Sequence, residues 1–330
     1  MPTWANGVFV TSGPSKHEMN KTKFNHLLDG FGRFSNVKFR DGRAHFTSKM
    51  IKSSFYNKSL SKSGIAAGML FRETTPARMT SLIPGFNLFH TLKNDNNWVS
   101  LELLADNKTF VGTTDTNKKL QMDLMTLDTI KLVDFEDKLC QTGVSHSKKM
   151  ADGTVVSICG DVNTKTYKMD LLVYKLEPQN TFKKVVIARI PVDRSPMEHA
   201  FAMTDKYAIV FDPPMYVDPP VFSILFRNAQ IKDMVKNDVN GKTKIHVVRL
   251  SDGHVTTLDT KIWSMVLHFG NAYQIDDDTI AVEGPAYENP VADPFGIFSV
   301  ENIQGAEALT SHHHGNIFKR YILNLKDKTV

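Results

Sequence analysis

Histidine is the residue of this chain best suited to metal chemistry, and three histidines stand out by their context. His146, His199 and His268 each open a segment of β-forming residues. Neutral imidazole binds divalent transition metals, and strand starts that converge could bring several imidazoles to one ion. Each of the three better fits a buried histidine that is hydrogen-bonded to backbone. Taken singly, these residues leave both interpretations open.

The other histidines predict no shared site. Four of them have polar hairpin surroundings, namely His17, His45, His246 and His254. Such surroundings predict side chains in contact with solvent. The run His312-His313-His314 lies in a loop, where histidine tracts can collect a metal adventitiously. An unstructured insertion is expected there.

The elements that must position these histidines are predicted to be β-strands, because the apolar residues repeat with a period of two. The strand-like runs are residues 31–39, 44–51, 98–104, 109–114, 120–124, 155–159, 169–176, 185–190, 207–212, 245–250, 279–283 and 318–325. Asp-Gly or Asn-Gly pairs follow several of them, as at Asp41-Gly42, Asp152-Gly153, Asn240-Gly241 and Asp252-Gly253. These pairs favour hairpins with type I′ turns, which need a positive φ at both central residues.

Helix candidates are few, with residues 222–235 the better one and 302–310 the other. No linker divides the chain, so a single domain over residues 1–330 is expected. Many short hairpins at even spacing are typical of a large all-β protein, either a propeller or a sandwich. No WD or kelch repeat is present to choose between the two.

Composition limits the function classes. The net charge of +5 comes from 40 basic and 35 acidic residues without a basic stripe, which argues against nucleic-acid binding. Lys148 and Lys149 belong to the densest basic stretch, which predicts a solvated loop or a weak membrane-surface contact. The chain has two cysteines, Cys140 and Cys159. Two are too few to stabilise a chain of this size by disulfide bonds, which favours a reducing, cytoplasmic setting. The sequence contains no run of about 18 apolar residues, so no membrane span is predicted.

Several sequence blocks resemble one family, the carotenoid cleavage oxygenases. The segment His199-Ala-Phe-Ala-Met-Thr-Asp-Lys-Tyr is similar to that family's His-Ser-Phe-x-x-Thr-x-x-Tyr block. His268-Phe-Gly-Asn-Ala-Tyr resembles its His-x-x-Asn-Ala-Tyr block, and His146 stands where the family has Ala-His-Pro. Residues 4–14 and 25–56 resemble its opening blocks. The blocks follow the family's order over nearly the whole chain.

The resemblance implies an all-β, seven-bladed propeller with a non-haem Fe(2+) on its axis. His146, His199 and His268 would be three of four iron ligands. Asp115, in Thr114-Asp-Thr, stands where the family has Thr-Glu-Thr, and would accept the second N–H of a ligand imidazole. The shorter Asp side chain and the missing proline after His146 depart from the family pattern.

The resemblance also implies that the chain is incomplete at its C-terminal end. Residues 318–325 resemble the strand before the last blades, so about five blades are expected and the fourth histidine is absent. Residues 72–97 lack the membrane-contact segment of animal members. A monomer is expected, with at most peripheral contact with a membrane surface. Little or no carotenoid cleavage is expected of these 330 residues alone.

The implied function is an iron(II)-dependent oxygenase that uses O2 to cleave a conjugated double bond of a carotenoid or apocarotenoid into aldehydes or ketones. Within the family the alternative is a retinoid isomerohydrolase acting on retinyl esters. A third reading is a carotenoid- or retinoid-binding propeller without turnover. A structural propeller with buried histidines is the remaining one.

Overall fold

The fold is known from a computed structural model. It describes residues 2–330 apart from 67, 69, 79–94, 134, 136–137, 164, 167, 196, 219–229, 289–294 and 306–315. The chain forms two compact units. The first unit comprises Met1–Asp134, Val221–Ile231 and Phe298–Ile303, and the second comprises Phe135–Pro220, Lys232–Ile297 and Gln304–Val330. Whether the two units combine into the single domain expected over residues 1–330 stays a prediction.

The first unit is built from antiparallel strands. Its elements are β1 (Gly7–Lys16), β2 (Glu18–Met19), β3 (Thr22–Lys23), β4 (Phe31–Arg40), β5 (Arg43–Met50), helix α1 (Ser54–Ser61), β6 (Ser100–Leu103), β7 (Thr109–Thr113), β8 (Lys119–Asp123) and β9 (Thr129–Val133). They form the sheets β1-β4-β5 and β6-β7-β8-β9, with a small β2-β3 hairpin. Phe34 of β4 and Phe110 of β7 are fully buried, with ring centroids 4.9 Å apart in an edge-to-face contact.

The turn between β4 and β5 confirms the type I′ prediction. Asp41 and Gly42 have φ angles of 52° and 72°, both in the left-handed region. The Asp152-Gly153 and Asp252-Gly253 turns differ from type I′, because only the glycine of each pair has a positive φ. At those two turns the aspartate carboxylate accepts the N–H of the residue two positions on. This side-chain bond favours a different turn from type I′.

Helix α1 was not predicted from the sequence, and its start is stabilised by two side chains. The Ser53 hydroxyl caps it by accepting the Tyr56 N–H at 3.0 Å. The Asp95 carboxylate accepts the N–H groups of Ser54 at 2.6 Å and Phe55 at 3.2 Å. A carboxylate at a helix N-terminus is favourable because it satisfies N–H groups that lack partners within the helix. Asp95 is far away in the sequence, so local patterns could not indicate this helix.

The second unit is also built from antiparallel strands. They are β10 (Lys148–Lys149), β11 (Val155–Val162), β12 (Met169–Glu177), β13 (Asn180–Pro191), β14 (Ala202–Met203), β15 (Tyr207–Asp212), β16 (Met215–Val217), β17 (Val235–Asn237), β18 (Lys244–Arg249), β19 (Val255–Asp259), β20 (Met265–Val266), β21 (Asn271–Gln274), β22 (Thr279–Tyr287) and β23 (Ile317–Asn324). Two sheets have the orders β10-β11-β12-β13 and β14-β15-β18-β19. In a third, β22 pairs with β20, β21 and β23.

Two apolar clusters connect these three sheets of the second unit. One joins the first sheet to the second through buried residues that include Ile158, Val173 and Val210. The other joins the second sheet to the third, for example through Ile209 and Val282. Because close-packed cores resist displacement, these clusters fix each sheet relative to its neighbour.

The all-β prediction is confirmed, and each predicted strand-like run falls on a strand. The helix predicted over residues 222–235 is wrong at its end. Residues 222–229 lie outside the described residues, α2 covers only Ile231–Met234, and Val235 begins β17. Val235 pairs with Val217 of β16, a contact that sequence periodicity does not indicate. Helix α3 (Val300–Gln304) overlaps the start of the second predicted helix, whose residues 306–310 are not described.

Cys140 and Cys159 form a disulfide within the second unit. Two isolated cysteines did not predict this pairing, because spacing alone does not reveal which residues the fold brings together. The cytoplasmic location stays a prediction. Among the residues that the structure describes, no helix is long and apolar enough to cross a membrane.

Asp29 gives the first unit a testable pH dependence. Its carboxylate is 5% exposed and accepts the N–H groups of Phe71 at 2.8 Å and Arg72 at 3.2 Å. Burial raises the pKa of Asp29 from 3.8 to about 7, although these two hydrogen bonds and Arg78 oppose the rise. The folded protein therefore binds this proton more tightly than the unfolded chain does. The resulting stability is full below about pH 4 and is lost as the pH rises to about 7.

We expect Asp29→Asn to remove this pH dependence. Between about pH 4 and pH 7 the free energy of unfolding of the wild type should fall relative to that of the variant, by up to roughly 4 kcal/mol. Urea unfolding across that range measures the difference. Asp41→Asn, at an exposed hairpin tip, is the control and should follow the wild type. Parallel profiles for Asp29→Asn and the wild type would contradict the raised pKa.

Candidate metal centre

His146 lies two residues before β10 and is tied to the segment that carries His199. It forms an isolated parallel β-bridge with Ala200. The Ser145 N–H donates to the carbonyl oxygen of His199 at 3.2 Å. On the other side, Ser147 occupies the place of the family's proline, and its hydroxyl lies 3.0 Å from that of Ser157 in β11. A hydrogen bond thus anchors the residue that follows His146.

His199 precedes the short strand β14, and the residues that follow it fix its position. Phe201 is fully buried in the cluster between the first two sheets. The Thr204 hydroxyl accepts the Tyr207 N–H at 3.1 Å, which closes the turn into β15. The Phe, Thr and Tyr of this block therefore have structural roles around the histidine.

His268 lies between β20 and β21 of the third sheet. Phe269 packs against Phe211, with ring centroids 5.2 Å apart. The Gly270 N–H donates to the Glu283 carbonyl oxygen at 2.8 Å. Gly284, the next residue of β22, has no room for a side chain, because a Cβ there would lie 2.7 Å from the His268 carbonyl oxygen. The backbone of His268 is thus held closely against β22.

The structure brings the three predicted imidazoles together, each from a segment next to a different one of the three sheets. The Nε2 atom of His199 lies 3.2 Å from that of His146 and 3.1 Å from that of His268. The ring centroids are 4.9–5.0 Å apart, and the ring planes cross at 71–85°. His146 and His199 are half-buried and His268 is exposed. The predicted convergence of the Nε2 atoms is present.

This arrangement fits a transition-metal ion. Two imidazole nitrogens at about 2.1 Å from one ion are about 3.0 Å apart at a right angle and about 3.4 Å apart at a tetrahedral angle. The 3.1 Å and 3.2 Å observed from the Nε2 atom of His199 lie between these two values. Three such imidazoles could therefore bind one ion and leave further coordination positions open. Among the described residues, no carboxylate or thiolate joins this cluster.

Sequence reasoning missed a buried polar group beside the cluster. Glu198 directly precedes His199, and its Oε1 atom is buried without a hydrogen-bond partner. Burial raises the pKa of Glu198 well above its usual range, and the nearby Asp212 carboxylate raises it further. These effects favour the neutral carboxylic acid. Nothing in the local sequence indicates this burial, since glutamate is rarely buried.

The prediction of a solvent-exposed side chain is wrong for two of the four histidines. His246 is buried, its Nδ1 lies 3.0 Å from the Thr257 hydroxyl and its Nε2 lies 3.6 Å from an Asp212 oxygen. The reason is that β18 lies inside its sheet between β15 and β19. His17 is half-buried, with Nε2 3.0 Å from the Leu27 carbonyl oxygen. His45 and His254 are exposed as predicted, and residues 312–314 are not described.

Asp115 lies in the first unit, in the hairpin between β7 and β8, where it is exposed. The three histidines belong to the second unit. The predicted contact between the Asp115 carboxylate and a ligand imidazole stays a prediction.

Fold and site together define a class: an all-β protein with a three-histidine cluster that could hold a metal ion. The family model described as retinal pigment epithelial membrane protein matches residues 1–330. The chain therefore belongs to this family, which includes the carotenoid oxygenases. The resemblance seen in the sequence blocks is confirmed.

Curated relatives are carotenoid-cleaving enzymes by name. Beta,beta-carotene 15,15'-dioxygenase of Gallus gallus is 25% identical over 313 residues, which cover 89% of this chain and 59% of the relative. Chloroplastic carotenoid cleavage dioxygenase 8 homolog A of Oryza sativa subsp. japonica is 26% identical over 297 residues, 86% of this chain and 51% of the relative. The chain thus spans between half and two thirds of the length of these relatives.

Solved structures share the fold. A single-site mutant of the apocarotenoid oxygenase of Synechocystis has a TM-score of 0.78 at 18% identity, covering 100% of this chain and 66% of that one. The cobalt-substituted Synechocystis enzyme has a TM-score of 0.70 at 16% identity, with the same coverage. This structural similarity shows that the chain has the all-β propeller fold of these proteins. The number of blades stays a prediction.

Gly284→Ala tests whether the backbone of His268 positions its imidazole. The new methyl group would meet the His268 carbonyl oxygen at 2.7 Å and must displace it. Since metal ligands tolerate shifts of only about 0.2 Å, we expect cobalt(II) affinity to fall roughly tenfold or more. A titration followed by absorption of the bound cobalt(II) measures this loss.

Gly270→Ala is the matched control for Gly284→Ala. Its Cβ would come no closer than 3.4 Å to the Phe318 ring, which is an ordinary contact. Its cobalt(II) affinity should therefore equal that of the wild type. Equal affinities for all three proteins would mean that β22 does not hold His268 in place.

Proposed function

We propose that this chain is the metal-binding part of an iron(II)-dependent oxygenase that cleaves a conjugated double bond of a carotenoid or apocarotenoid. The observation that carries the proposal is the convergence of three imidazoles, in which the Nε2 atom of His199 lies 3.1–3.2 Å from those of the other two, without a carboxylate among the described neighbours. The names of the curated relatives support the reaction class. The substrate class and O2 are part of the proposal.

Metal binding would give the three imidazoles a defined protonation state. An imidazole that binds a metal through Nε2 carries its proton on Nδ1, where a hydrogen-bond acceptor can fix the ring. Three neutral imidazoles would leave the charge of a divalent ion unchanged and would leave coordination positions for other ligands. Iron(II), when bound, supplies the one-electron chemistry that O2 requires.

The reaction balances without a further reductant. One O2 molecule gives one oxygen atom to each carbon of the cleaved double bond, and two carbonyl products result. The protein would contribute placement of one double bond of the apolar substrate and exclusion of water from the reacting atoms.

The cleavage proposal has two rivals on the same site. A retinyl ester could be the substrate of an isomerohydrolase, or a carotenoid could bind without turnover. The family description, retinal pigment epithelial membrane protein, gives the first rival its support. Products from a carotenoid and from a retinyl ester, measured side by side, separate the three functions.

We expect the release of aldehyde or ketone products by the purified chain, with iron(II) and β-carotene or an apocarotenal, to depend on the three-histidine centre. His199→Ala should bring product formation to background, since it removes the central ligand. His254→Ala, on an exposed hairpin, is the control and should match the wild type. Chromatography of the products measures the rate. Cleavage by His199→Ala at the wild-type rate would contradict the proposed centre.

Asp115→Asn tests the predicted contact with a ligand imidazole. If the Asp115 carboxylate accepts an Nδ1–H group, its loss should lower iron affinity or activity about 10–100-fold. Asp128→Asn is the control, because Asp128 is an exposed hairpin residue that pairs with Lys49. Iron content after dialysis and product formation are the two measurements. Wild-type values for Asp115→Asn would show that Asp115 is only a turn residue.

A further inference from the structure

The segment that carries His146 is fastened to strand β11 on both sides of the histidine. Downstream, Lys148 and Lys149 of β10 pair with Val156 and Val155. Upstream, Cys140 forms a disulfide with Cys159 of β11. We infer that this disulfide is a positioning element of the metal centre, and that its reduction weakens metal binding. The inference rests on the proposed function, in which His146 is a metal ligand.

The chain beside Cys140 lies against the end of β11. The Cys140 N–H donates to an oxygen of Asp161 at 2.8 Å. The Gln141 N–H donates to the Gly160 carbonyl oxygen at 2.9 Å, and the Thr142 hydroxyl accepts the Gly160 N–H at 2.9 Å. Both cysteines are buried in one apolar cluster. The disulfide is the one covalent link in this set of contacts.

Cys140 has a backbone conformation that needs support. Its φ angle of 71° lies in the left-handed region, which is unfavourable for a residue with a side chain. Such a conformation persists where the surroundings hold it. Without the bond to Cys159, Cys140 can relax toward a common conformation and take the following residues with it.

Few residues separate this tether from the metal ligand. His146 follows Cys140 by six residues, and between them Val144 is buried in the cluster of the first two sheets. Downstream, two residue pairs and the hydrogen bond between the Ser147 and Ser157 hydroxyls hold the chain to β11. Metal ligation requires nitrogen positions within about 0.2 Å of their ideal distances. A small loosening upstream is therefore enough to move the Nε2 atom of His146 out of reach.

The redox step balances with a dithiol as reductant. The dithiol gives two electrons and two protons, the Cys140–Cys159 bond breaks, and both cysteines become thiols. The dithiol becomes a cyclic disulfide. Oxidation by the reverse exchange restores the tether.

Cobalt(II) is the probe, because its absorption reports the number and kind of ligands as well as their affinity. Wild type, Cys140→Ser/Cys159→Ser and His146→Ala would be titrated without oxygen. Wild type reduced with dithiothreitol and then freed of it by gel filtration would be titrated beside them. We expect the double variant and the reduced wild type to bind cobalt(II) about 10–100-fold more weakly, as for other losses of ligand support. Their spectra should approach that of His146→Ala.

Leu176→Ala is the control for a general loss of stability. Leu176 is buried in the same cluster as the two cysteines, so its truncation should lower the unfolding temperature without cutting the tether. Its cobalt(II) affinity and spectrum should match those of the wild type. If the double variant does not fold, reduced wild type provides the same comparison.

The outcomes separate this inference from the proposed function. A wild type that binds no cobalt(II) would overturn the proposed centre itself. If the wild type binds the ion, equal affinity and spectrum after loss of the disulfide overturn the inference. It is also overturned if Leu176→Ala loses as much affinity as the double variant. Complete thiol labelling of denatured wild type before reduction would overturn it as well, because no disulfide would then exist.

Discussion

The close approach of three imidazoles is the constraint on which the arrangement of the second unit depends. The Nε2 atom of His199 lies 3.2 Å from that of His146 and 3.1 Å from that of His268, although the three residues are far apart in the sequence. His146, His199 and His268 all lie outside the strands. The backbone at each histidine must be stabilised by contacts elsewhere, and the sheets supply these contacts.

Each pair of neighbouring histidines depends on its own apolar cluster. The cluster between the first two sheets of the second unit, which includes Val144 and Phe201, fixes His146 relative to His199. The cluster between the second and third sheets, which includes Ala202 and Val266, fixes His199 relative to His268. Phe201 and Ala202 are adjacent residues of one chain segment and point into different clusters. His199, which stands just before them, is thus held from both sides.

Polar contacts complete the positioning where the apolar clusters end. The Ser145 N–H reaches the His199 carbonyl oxygen, and the Gly270 N–H reaches β22 beside His268. Hydrogen bonds of this kind orient a backbone more sharply than apolar burial does, because they depend on direction. The disulfide of Cys140 adds a covalent link near His146, whose neighbouring strand β10 has two residues.

The sequence alone determined the all-β class, most of the strands and the three histidines. Its period of two follows from side chains that alternate across a pleated sheet, and the positions of His146, His199 and His268 at strand starts could be seen in the blocks around them. The type I′ turn at Asp41-Gly42 is likewise a local property, because two adjacent residues decide it.

Only the tertiary structure decided what depends on residues far apart in the chain. The burial of His246 and Glu198, the capping of α1 by Asp95 and the pairing of Cys140 with Cys159 each join distant segments. Local periodicity carries no information on such contacts, since it reports which face of a strand is buried but not what lies against it. The convergence of the three Nε2 atoms is of the same kind. The histidines were visible in the sequence, but the 3.1–3.2 Å between the Nε2 atom of His199 and those of the other two is set by the packing of three sheets.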